Sequence, residues 1–65
     1  MTLQQIITKV IVLKLDETAS FELDNEYDLH NTISRLVALA GVQGINVVAG
    51  SEDVDSHIIW VRRMF

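Results

Sequence analysis

Cysteine is absent from this 65-residue chain, which excludes a disulfide framework and any thiolate metal site. Two histidines, His30 and His57, stand too far apart in sequence to found a structural zinc site, and no cofactor is implied. With no disulfide to form, a cytoplasmic setting is the simpler expectation. Glycine is scarce, and Gly41, Gly44 and Gly50 each stand alone, so there is no glycine-rich loop to cradle a phosphate and no Ser-centred nucleophile elbow. Proline, linkers, internal repeats and low-complexity tracts are missing too, and residues 1–65 read as one domain.

Cations are also few. Five Lys and Arg against nine Asp and Glu leave a net charge of −4, which opposes attraction to nucleic-acid phosphates or to anionic lipid. The apolar runs are too short to span a bilayer. The run Val10–Leu13, bounded by Lys9 and Lys14, has no small-residue cleavage site behind it. The chain is therefore expected to be mature and soluble, with neither membrane nor nucleic acid as a direct partner.

What is plentiful is apolar surface: 49% of the residues are hydrophobic and the mean hydropathy is +0.29. A domain of this size buries only about 60% of what its unfolded chain exposes, so cover from outside the core is expected. Self-association into a homodimer or larger oligomer supplies it most simply.

Only one stretch, Asp24 to Gly41, sustains a helical period. Leu29, Ile33, Leu36, Val37 and Ala40 share a stripe, and His30, Asn31, Ser34 and Arg35 fall opposite. Asp24 or Asn25 is the expected N-cap, with Glu26 and Asp28 near the positive end of the dipole. Gly41 suits the left-handed position after the helix, and Gly44 makes a second break.

The remaining segments read as extended. Residues 1–5 are expected to be a loose end before a first strand, Ile6 to Leu15, rich in β-branched residues and apolar on both faces. Asp16 to Ala19 reads as a turn and Ser20 to Leu23 as a short strand or a lead into the helix. Ile45 to Ala49 and His57 to Phe65, separated by the polar turn Gly50–Ser56, should pair as an antiparallel hairpin. The predicted class is α+β, a small β(β)αββ domain with one helix packed on one face of a three- to four-stranded, mainly antiparallel sheet. The uncovered face would carry either Ile58 and Trp60 or Ile59 and Val61, more apolar surface than a monomer usually exposes. The residues assigned to self-association are Val10, Val12, Ile58, Trp60 and Met64.

Four groups of residues suggest more specific chemistry. Six of the nine acids lie between Asp16 and Asp28; a row of carboxylates such as Glu22, Asp24, Glu26 and Asp28 would imitate DNA phosphates in a decoy, of the kind viruses encode, that inhibits a nucleic-acid enzyme, although acids are expected at a helix N-terminus anyway. Asp24, Glu26 and Asp28 alternate like the first ligands of a calcium loop, but Leu29 stands where that loop requires Gly and Arg35 where it requires Glu. His30 and His57 with nearby acids would serve an acid–base site only in a pocket formed between subunits, which makes a small enzyme the remaining alternative. Trp60 with Arg62 two positions on is the pairing that stacks and clamps single-stranded nucleic acid, but an interfacial anchor with Arg62 or Arg63 pairing to acids fits the acidic charge better. The leading expectation is a non-catalytic module that binds itself and another protein.

Overall fold

The computed structural model describes residues 1–52 and 56–65. It is an α+β domain: α1 (Leu3–Val10), β1 (Thr18–Glu22), α2 (Leu29–Val42), β2 (Val47–Ser51) and β3 (Ile58–Arg63). The three strands form an antiparallel sheet in the order β1-β3-β2, so the last strand is the central one.

The expected first strand is a helix. Thr2 caps α1 by accepting from the Gln5 amide, and the Gln5 side chain accepts from the Thr2 amide in return, a reciprocal capping box. Leu3, Ile6 and Val10 then recur at helical spacing and are buried, while Gln4, Gln5, Thr8 and Lys9 face solvent. Three side chains of this size contribute about 1.5–3 kcal/mol each on burial. That outweighs the few tenths by which β-branching disfavours a helix. The N-terminus is not loose either: its ammonium donates to the Glu22 carbonyl at 2.7 Å and to Asp24 Oδ1 at 2.6 Å.

The α2 stripe buries Leu29, Thr32, Leu36 and Ala40, with Ile33 partly covered and Val37 at its exposed margin. Its N-cap is Asp28, whose carboxylate accepts from the Asn31 amide at 2.9 Å, rather than Asp24 or Asn25. The left-handed residue that ends it is Gly44, at φ 78°, and not Gly41.

The hairpin of β2 and β3 is antiparallel as expected, with Ala49 opposite Val61 and Gly50 opposite Trp60. The expected polar turn Gly50–Ser56 falls partly outside the described residues, at 53–55, and its Gly50 and Ser51 belong to β2 instead. β1 pairs with the other edge of β3, Phe21 opposite Ile59 and Ser20 opposite Trp60. Strand parity puts Ala19, Phe21, Val47, Ala49, Ile59 and Val61 on one face, and both helices cover it. Leu23, Leu36, Ile6, Val10, Ile59 and Val61 are the fully buried centre. Arg63 ties the α1–β1 connection to the sheet by donating from its guanidinium to the Leu13 carbonyl at 2.7 Å.

Candidate interaction surface

Strand parity leaves Thr18, Ser20 and Glu22 of β1, Ile58, Trp60 and Arg62 of β3, and Val48 and Gly50 of β2 on the other face, away from both helices. The register arranges them in rows: Thr18, Arg62 and Val48; then Ser20, Trp60 and Gly50; then Glu22 and Ile58. Of the two alternatives left open by the sequence, the pair Ile58 and Trp60 is thus the outward one. Ile58 is 41% exposed and Val48 45%, and the half-buried indole of Trp60 lies between them.

Gly50 makes room for that indole. A Cβ at this position would stand 2.8 Å from Trp60 Cζ2 and 3.1 Å from Cε2, well inside van der Waals contact, so the ring lies across β2 directly over the glycine. Glu22 keeps its side chain exposed at one end of the face. Arg62 stands at the other, 3.7 Å from the Asp16 carboxylate, with both groups more than half exposed. Such a pair is worth well under 1 kcal/mol, so Arg62 remains available to a stronger partner.

The residues assigned to self-association do not all meet here. Ile58 and Trp60 do. Val10 does not: it is wholly buried on α1, because helical spacing turns it towards the core together with Leu3 and Ile6. Val12, 74% exposed, follows α1 at one end of the molecule, and Met64 lies just past β3 at that same end. Val48 and Gly50 share the open face with them, and only the β2–β3 register places them there.

That end has its own character. Both helices start near Glu22 and Asp24 and finish near Leu13, Arg63 and Asn46, because Met1 bonds to Glu22 and Asp24, Arg63 to Leu13, and Asn46 to Met64 and Phe65. At the finishing end stand Val12, Leu15, Val42 and Phe65, the most exposed large apolar residues described, Val42 at 81%. Lys9, Lys14, Arg62 and Arg63 accompany them, four of the five basic residues, with Asp16 and Glu17 the acids among them. The starting end holds Glu22, Asp24, Glu26 and Asp28. Acids at helix N-termini and cations at C-termini are each favoured by the backbone dipoles.

Of the expected acidic row, Asp24 accepts from the Met1 ammonium and Asp28 caps α2, while Glu22, Glu26 and Asp28 are all exposed. Met1 and residues 22–26 border an open recess of about 570 Å³. Among the described residues no group of three or more His, Asp or Glu side chains is placed to hold a metal. His30 is exposed on α2, whereas His57 precedes β3 and its carbonyl accepts from the Leu23 amide at 2.6 Å. No helix among the described residues is long and apolar enough to cross a membrane. The chain matches no protein-family model, no curated protein and no solved structure.

Proposed function

We propose that this chain is a small, non-catalytic interaction module that associates with copies of itself through the open face of its sheet. The observation that carries the reading is the position of Trp60: the single tryptophan of the sequence sits at the middle of the central strand on the face that no helix covers. Buried aromatic anchors ringed by smaller apolar groups dominate association energetics, and here Val48 and Ile58 flank the ring. Core side chains on one face and a tryptophan with two β-branched neighbours on the other make an inner sheet of a two-layer assembly.

A different protein would find its place at the end where Val12, Leu15, Val42 and Phe65 project, since two copies joined through their sheets leave that end free. The cytoplasmic setting belongs to the same reading. A role as an acidic decoy has less support, because Asp24 and Asp28 already serve the chain's own N-terminus and helix cap.

Analytical ultracentrifugation at tens of micromolar tests the association. The expected mass exceeds the 7.3 kDa of one chain and returns to it in Trp60→Ser, with the far-UV circular dichroism unchanged. A wild-type protein that sediments as a well-folded single chain throughout that range rules the reading out.

A further inference from the structure

Of the axes along and across the strands, only the second makes the open face self-complementary, and we infer that the face receives a second copy of itself turned about a two-fold axis that runs across the strands, along the row Ser20, Trp60, Gly50. This arrangement rests on the proposed self-association and specifies its geometry. Two features of the face select it, and a third sets how firmly it holds.

The first is charge. Arg62 and Glu22 stand at opposite ends of the face, four residues apart along the strand direction, or about 13 Å. An axis across the strands exchanges the two ends, so the Arg62 of each copy arrives over Ile58 of the other, one strand from Glu22. Both Arg62–Glu22 pairs form at once. An axis along the strands leaves the ends unexchanged: it sets Arg62 over Arg62, which is repulsive, and carries each Glu22 over β2 of the other copy, away from any Arg62. Asp16, the present neighbour of Arg62, holds it only at 3.7 Å, and the Glu22 carboxylate has no partner described within the chain, its residue bonding through its backbone carbonyl.

The second is the indole. It lies over Gly50 on β2, and an axis across the strands superposes β2 on β2 and brings the two rings together near the axis. A sheet, two flat rings and a second sheet are then separated by three contacts of about 3.5 Å, which reproduces the roughly 10 Å spacing of stacked sheets. With the axis along the strands, each ring instead faces the polar strand β1 of the other copy.

The third is extent. Three strands about 4.8 Å apart and five or six residues long cover less than the ~800 Å² per partner of a standard interface. A pair of this size should dissociate in the micromolar range, where exchanging two symmetric charge pairs has a measurable effect.

The test is a charge exchange measured by sedimentation equilibrium at low ionic strength. Glu22→Arg alone and Arg62→Glu alone each place like charges at both symmetric positions and should weaken association at least tenfold, whereas Glu22→Arg with Arg62→Glu should return to within about threefold of wild type. Trp60, as the one tryptophan, adds an independent reading on the unmodified chain: exciton-coupled near-ultraviolet circular dichroism that grows with concentration. A wild type that dimerises while neither single exchange weakens it, or while the double exchange fails to recover and no exciton signal appears, overturns the arrangement but leaves self-association standing. A wild type that stays a single chain removes the proposed function and this geometry together.

Discussion

Ile58 and Ile59 are the same residue type, adjacent on the same strand, and they live in different environments. Ile59 faces α1 and α2 and is wholly buried; Ile58 faces away from both helices and keeps 41% of its surface in solvent. The faces they belong to differ likewise: Phe21, Val47 and Val61 on the covered side, Thr18, Ser20, Glu22, Arg62 and Trp60 on the open one. The covered face carries six apolar side chains, Ala19, Phe21, Val47, Ala49, Ile59 and Val61, and the open face three, Val48, Ile58 and Trp60. The open face differs in pairing its apolar centre with opposite charges at its two ends, the composition of a surface that meets another surface rather than of a core.

The comparison breaks most readily at Ile59. Truncation to Ala there should cost about 2–5 kcal/mol, the range for deleting a buried aliphatic side chain, and urea unfolding followed by circular dichroism should show much or all of the folded baseline lost. Next comes the cover itself: Thr2→Ala removes the capping box of α1 and should cost about 1 kcal/mol, visible as an earlier unfolding midpoint with no change in assembly. Ile58→Ala, chemically identical to the first substitution, should cost the single chain less than about 1 kcal/mol but weaken association. An Ile58 variant as unstable as the Ile59 variant in dilute solution would erase the distinction between the faces. The smallest effect on the fold is expected at Gly50. Gly50→Val obliges the indole to swing off β2, so the tryptophan emission should shift to the red while the unfolding free energy changes by less than about 1 kcal/mol.

Much of this architecture is legible before any coordinates. The α2 stripe and the last hairpin follow from periodicity and from the polar turn between two apolar runs. The first element does not, and the reason is physical: Ile6, Ile7, Thr8, Val10, Ile11 and Val12 carry the β-branched signature of a strand, yet strand preference reflects packing surroundings more than backbone preference. The decisive signal is local and was present, Thr2 with Gln5 three residues on, followed by Leu3, Ile6 and Val10 at helical spacing. The same helical spacing takes Val10 into the core. The start of α2 was ambiguous because Asp24, Asn25 and Asp28 all make acceptable caps; Asp28 prevails because Leu29 immediately after it opens the buried stripe. For the open face, the sequence leaves two options for the outward pair, and only the pairing of β1 with β3 decides between them. The space Gly50 leaves for Trp60 is a matter of register and has no sequence signature.

The parallel course of α1 and α2 has a consequence for handling the protein in bulk. With cations gathered at one extremity and carboxylates at the other, some 21 Å away along α2 against a Debye length of about 8 Å in physiological salt, each extremity meets a charged resin on its own terms. A particle whose overall charge is −4 should therefore be retarded on a cation exchanger as well as on an anion exchanger at neutral pH, presenting a different extremity to each.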